Sequence, residues 1–257
     1  MIAAAMLVMP VIVVIVLALL GKFSVVESHT PQENFARAIR QTQQPQFALH
    51  SQKLASIKTD PVTLVTWTRD EYVPSFKNGT AAKDWDIWVT KAPELQNFCR
   101  EYVKSHGSDP VQLTRRLEQR LGLRPLSGKN EFVELAVGSK DGSLSRIFRP
   151  CADSSISTEG CDSEPGRSPS QMRDDVATTD PYQLEILKMR YRLLNTYYET
   201  HATKDQFPWT YLGYTFDWAE KQDSDDFVRF GESEFIVPAG TNISFVSASD
   251  TATYCKP

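Results

Sequence analysis

The sequence predicts an α+β fold: a mainly antiparallel sheet with about three helices, preceded by one N-terminal transmembrane helix. Three observations lead there. Residues 2–20 carry no charged side chain. Short β-branched and aromatic runs recur through the rest of the chain. Between them lie apolar stripes with helical spacing, two of which begin at an Asp-Pro pair. The order strand-strand-helix-helix-strand-strand-helix-strand-strand lacks the strict alternation of a parallel α/β sheet, so antiparallel pairing is expected.

The first element is the run Ile2–Leu20, apolar throughout except for Pro10. At ~1.5 Å per residue it reaches roughly 28 Å, about one hydrocarbon core. Transmembrane helices tolerate the hydrogen bond that Pro10 removes. A cleaved signal peptide would carry a basic start, a shorter apolar stretch and a small-x-small cleavage site. None of these is present around Gly21-Lys22-Phe23-Ser24, so residues 1–21 are read as an uncleaved anchor. Orientation is weakly marked, because Glu27 and Glu33 offset Lys22, Arg37 and Arg40. The flanking charges alone slightly favour a cytoplasmic C-terminal side. No second apolar run approaches a membrane span.

Residues 22–60 read as a polar tether, on account of Gln41-Thr42-Gln43-Gln44-Pro45-Gln46. A short helix fits Gln32–Gln41, with Thr30 as cap and Pro31 at its first position. The folded domain is predicted over 61–257. Val62–Thr68 is a strand by composition, and Asp84–Thr90 alternates with Trp85, Ile87 and Val89 on one face. A helix follows over Pro93–His106, with Leu95, Phe98, Cys99 and Tyr102 on its stripe. Asp109 caps the next helix, with Pro110 at the first position and Gln112 where a capping-box partner belongs. Leu113, Leu117 and Leu121 form its buried face, and Gly122 with Pro125 closes it.

Glu131–Val137 and Leu144–Phe148 read as strands joined by the turn Ser139-Lys140-Asp141-Gly142. Residues 149–179 are a long polar loop. A third helix runs from Asp180-Pro181 to about Thr200, with Leu184, Leu187, Tyr191, Leu194 and Tyr198 on one face. The last third is β-rich: Trp209–Trp218, Phe227–Phe230, Glu234–Val237 and, after the turn Pro238-Ala239-Gly240-Thr241, Ile243–Val246.

The four cysteines form no CxxC pair, which leaves metal-site and thioredoxin-like spacing absent. Three disulfide pairings are possible. Cys151–Cys161 would close a polar loop with no apolar core of its own, and Cys99–Cys255 would tie the chain end to the first domain helix. Cysteines in so polar a loop suit an oxidising compartment better than buried free thiols do. This places the domain outside the cytoplasm, against the weak charge signal.

Length and charge exclude several classes. With 28 basic against 32 acidic residues, net charge −4 and pI about 5.6, a broad nucleic-acid-binding surface is not expected. No nucleophile-elbow, zincin, P-loop or dinucleotide motif occurs, and no cofactor or metal is implied. His29 and His50 lie in the tether, while His106 and His201 lie near helix ends, where a cation meets the dipole. Cys99 and His106 stand two turns apart, roughly 10 Å, too far for a dyad. The cluster Asp223, Asp225, Asp226 lacks a calcium-loop frame and reads as a solvated turn. Glu232 with Glu234, or Asp84 with Asp86, could pair for glycoside hydrolysis, but their spacing matches strand residues facing water. Asn78-Gly79-Thr80 and Asn242-Ile243-Ser244 fit the N-glycosylation pattern at close to chance frequency.

The aromatics Trp67, Trp85, Trp88, Trp209, Tyr211, Tyr214, Phe216 and Trp218 carry more information. Their alternation suits the core of a sheet. Of these, all but Phe216 form the candidate partner or glycan surface. The sequence therefore predicts a single-pass membrane protein with its domain in the periplasm or extracellular space. It is expected to bind or scaffold as an accessory subunit of a membrane or envelope complex, with the membrane itself held through the N-terminal helix. An extracytoplasmic carboxylate hydrolase and a glycan-binding module are the alternatives.

Overall fold

In the computed structural model, residues 30–42, 53–77, 85–151, 155–161, 184, 207–219 and 230–257 are described. Pro31–Pro257 form one compact unit. Its centre is a five-stranded antiparallel sheet built from β1 (Val62–Thr68), β2 (Ile87–Lys91), β3 (Glu131–Val137), β6 (Phe235–Val237) and β7 (Ser244–Asp250). The spatial order is β6-β2-β1-β3-β7. A second, two-stranded ribbon joins β4 (Tyr214–Phe216) to β5 (Phe230–Ser233). The α+β class and the mainly antiparallel pairing are those the sequence predicts.

Both faces of the sheet are apolar, as alternation along each strand requires. One face carries Val62, Leu64, Ile87, Val89, Val133, Leu135 and Phe235, covered by Phe76 of the short helix α2 (Val73–Lys77) and by Ile57 and Ile147. The other carries Val65, Trp67 and Phe132 under helices α3 (Ala92–His106) and α4 (Pro110–Arg120), which contribute Leu95, Cys99, Leu113 and Leu117. Asp109 caps α4 by accepting from the Gln112 amide at 2.8 Å. The chain ends in α5 (Thr251–Tyr254), capped by Asp250. There Cys255 is bonded to Cys99, with Cα atoms 5.1 Å apart. Cys151 and Cys161 form the second disulfide. On the chain-entropy model the long loop contributes ~5 kcal/mol and the short one ~3 kcal/mol.

Polar ties hold the outer layers in place. Arg116 grips Asp217 in a bidentate pair at 2.9 and 2.6 Å. One turn along α4, Arg120 donates to Glu232 at 2.6 Å. Both guanidinium groups lie over the Phe98 ring, at 4.8 and 4.7 Å. Arg149, fully buried, donates to the carbonyls of Ala55, Ser155 and Thr158 and so pins two loops to the sheet. Gly213, with φ +77, passes so close that a Cβ would meet the Arg149 side chain at 2.5 Å.

Three expectations are corrected. Leu144–Phe148 is not a strand: Leu144–Arg146 is a 3-10 turn, and only Phe148 bridges, to Ile236. The flank of β3 that such a hairpin would use is occupied by β7, paired from Glu131↔Asp250 to Ala136↔Ser244. The segment 22–60 is not a tether throughout. Residues Pro31–Thr42 form α1, and Ala38 and Leu54 are buried against Leu212, Tyr214, Phe216 and Trp218. The helical stripe Phe35, Ala38, Ile39 supplies the apolar face that a count of glutamines conceals. The strand expected at Asp84–Thr90 begins at Ile87. The apolar run 2–20, Asn78, Asp84, most of the loop 149–179, the helix expected at 180–200 apart from Leu184, His201 and Asp223–Asp226 lie outside the described residues; Leu184 is helical but 44% exposed, against its predicted place on a buried face. Among the described residues no helix is long and apolar enough to cross a membrane.

Removing the cation from the Arg120–Glu232 pair strands a carboxylate that is 4% exposed. Arg120→Met is expected to lower the unfolding free energy by about 3 kcal/mol or more. Lys104→Met, at the exposed Lys104–Glu101 pair, is expected to change it by under ~0.5 kcal/mol. Urea denaturation of both variants checks this, and equal losses would refute the ranking.

Candidate functional site

The site begins with an imbalance in how the central strand pairs. On one side β1 pairs with β3 along its whole length, from Val62↔Val137 to Thr68↔Glu131. On the other it pairs with β2 at only two positions, Leu64↔Lys91 and Val65↔Thr90. Continuing that register would set Trp67 opposite Trp88. Instead β2 carries on with β6, through Ile87↔Val237, Trp88↔Ile236 and Val89↔Phe235. The sheet is thus split between Thr66–Thr68 and Ile87–Val89.

The two tryptophans have separate partners. Trp67 stacks on Phe132, with ring centroids 5.8 Å apart, and its indole N–H donates to Thr251 Oγ1 at 3.0 Å. Trp88 packs on Trp209 at 4.6 Å. The fissure at the split has a volume of about 520 Å³ and is walled by Trp67, Trp85, Trp88, Tyr72, Phe76 and Leu95.

Its polar groups are few. Adjacent strand residues turn their main-chain groups to opposite sides. The Thr68 carbonyl accepts from Asn130 on the β3 side, so the Trp67 carbonyl faces the fissure. There it accepts from Lys129 Nζ at 2.7 Å. Burial pushes the Lys129 ammonium down to about 8. Across the fissure stands Glu234, between β5 and β6: its amide donates to the Gly213 carbonyl at 2.9 Å, while its carboxyl has no hydrogen bond or ion pair among the described residues. The surface it retains opens into the cavity, and desolvation pushes its carboxyl up to about 8. Thr90 also lines the cavity, and its buried hydroxyl has no partner among the described residues.

A second cavity of about 330 Å³ adjoins the first through Thr68, Tyr72, Leu123 and Lys129. Arg69 and Arg124 line it, and among the described residues no acidic one does. Two of the exposed large apolar side chains line this double cavity, Trp85 and Tyr72 at 44% and 45% exposed, and Leu126, 87% exposed, lies between its lining residues Arg124 and Ser127 in the chain. Leu126 holds φ +60, a strained conformation for a branched residue.

The other residues singled out by sequence are dispersed. Trp218 and Tyr214 are buried core of the β4–β5 layer, and Tyr211 stands beside it with φ +54. Trp209 lines neither cavity and touches the site through Trp88 and through Phe207, at 5.6 Å. Glu232 is engaged by Arg120, and Asp86 accepts from the Ala239 amide at 3.0 Å. The His106 ring nitrogen lies 3.3 Å from the Tyr102 carbonyl at the end of α3. Asn242 donates to Asp141. Lys129, Tyr72 and Arg69 join the site with no signal in the sequence. The sequence shows them as isolated polar residues, and only the strand register brings them to one place. Compared with protein-family models, curated proteins and solved structures, the chain matches none.

The two shifted groups set opposite slopes in stability. In the unfolded chain the Glu234 carboxyl ionises near 4.5 and the Lys129 ammonium near 10.5. From about pH 4.5 to 8 the folded state keeps a proton on Glu234 that the unfolded chain has lost, so stability falls as pH rises. From about 8 to 10.5 the unfolded chain holds a proton that Lys129 has lost, and stability recovers. Glu234→Gln is expected to remove the lower slope and Lys129→Met the upper, each on the order of 3–5 kcal/mol across its window. Denaturation curves across this range check it, and variant curves parallel to wild type would rule it out.

Proposed function

We propose that the chain is a membrane-anchored binding protein whose domain works outside the cytoplasm, as an accessory subunit of a membrane or envelope assembly. The single observation that carries the binding role is the split sheet, with its aromatic walls and orphaned polar groups. Wide apolar pockets with a few convergent polar groups are the usual form of a binding site. Exposed apolar residues clustered at its mouth are the usual mark of a partner surface. The two disulfides support an oxidising compartment. The uncharged run 2–20 supports confinement to a membrane.

The alternatives draw less support. A carboxylate hydrolase needs two acids facing one substrate bond, and Glu232, the nearest acid to Glu234 in sequence, is held by Arg120. A glycan platform needs exposed coplanar aromatics, and Trp67 and Trp218 are buried.

Affinity capture from membranes extracted in mild detergent tests the role. Wild type is expected to retain a partner that Tyr72→Ala/Trp85→Ala loses, with thermal unfolding of the two proteins alike. A solely monomeric wild-type chain, or an unchanged partner set, would count against it. Thiol titration of the unreduced native protein tests the compartment. No titratable thiol is expected, and four would exclude the extracytoplasmic placement.

A further inference from the structure

We propose that the fissure takes an extended peptide segment of a partner protein, one carrying an aromatic or other apolar side chain beside an acidic group. This rests on the binding role above and names its ligand class.

The first support is the main chain. Past Val65↔Thr90, the ladder between β1 and β2 is unmade over Thr66–Thr68 and Ile87–Val89. An extended peptide offers the alternating N–H and C=O groups that such a gap lacks, which is how peptides add to open sheet edges. The Lys129 ammonium now occupies the Trp67 carbonyl. An entering amide can take over that carbonyl and release Lys129 to meet an anion.

Charge points the same way. Arg69, Arg124 and Lys129 line the adjoining cavity, and among the described lining residues there is no acid, although Arg69 also pairs with Glu71 at 3.5 Å. Of the two acids in the fissure, Asp86 is committed to the Ala239 amide. Glu234 holds its proton near neutral pH and so can donate to a peptide carbonyl. The walls between Trp67 and Trp88 suit an apolar side chain. The basic end suits a carboxylate one or two residues along, from Asp, Glu or a chain terminus. A small organic acid would use the charges but not the open strand edges.

The test uses the full chain in detergent, panned against a random decapeptide phage library with Tyr72→Ala/Trp85→Ala/Lys129→Met as counter-selection. Enriched peptides are expected to combine an aromatic or aliphatic residue with Asp or Glu. Synthetic copies are expected to quench tryptophan fluorescence of the wild type. Lys129→Met alone should weaken them about tenfold, the size of a lost charge-assisted hydrogen bond. Methylation of the two backbone nitrogens flanking the apolar residue should abolish binding.

No enrichment over the counter-selected variant would overturn the proposal. So would enriched peptides lacking an acid, or methylated peptides that bind equally well. If the Tyr72→Ala/Trp85→Ala chain still loses its partner in membrane capture, the binding role survives and only the peptide is wrong. If it does not, both fail.

Discussion

Seven pairs on one side of β1 and two on the other are the constraint from which the rest of the molecule follows. Had the central strand paired evenly, the sheet would be closed and its two cores separated by a continuous backbone layer. The early parting of β2 instead opens a passage between them. The parting is stabilised by stacking rather than by loop strain. Trp67 belongs to the Phe132–Tyr254 stack, whose rings lie 4.1 Å apart, and Trp88 belongs with Trp209. The gain from each aromatic contact, about 0.5–1.5 kcal/mol, offsets the ladder hydrogen bonds forgone.

This arrangement also makes the lips of the fissure stiff. The β1 lip is backed by α3, α4 and the disulfide at Cys255. The β2 lip is backed by β6, whose neighbour β5 is tied to α4 through Glu232 and Arg120. A site framed by packed strands loses little conformational freedom on binding, the condition under which a modest cavity gives useful affinity.

Much of the fold was legible in the sequence, because local physics decides it. Asp109-Pro110 with Leu113 and Leu117 could be little else than a capped amphipathic helix. Val62–Thr68 and Glu131–Val137 announce themselves by composition. The disulfides were legible from the polarity of one loop and the position of one chain end. The Leu144–Phe148 segment was misread because its apolar content matches a strand, while its edge had already been taken by β7 from far along the chain. The α1 helix was undervalued because its apolar stripe is narrow and its partners lie near residue 214. The candidate site was hardest to see. Trp67, Trp85 and Trp88 stand out in any aromatic count, but their value depends on a register that fails after two pairs. Lys129 and Glu234 have no motif, and only desolvation distinguishes them.

The bond from Cys99 to Cys255 spans 156 residues and turns most of the domain into a covalent ring. β3, α4 and β4–β7 lie inside it, while β1 and β2 lie on the N-terminal arm that leads away from it. A protease cutting anywhere between these cysteines would open the ring without detaching a piece. The nicked molecule would keep its mass until reduced. Cuts inside the Cys151–Cys161 loop would be bridged twice. The arm from β2 back to the N-terminus has no such insurance.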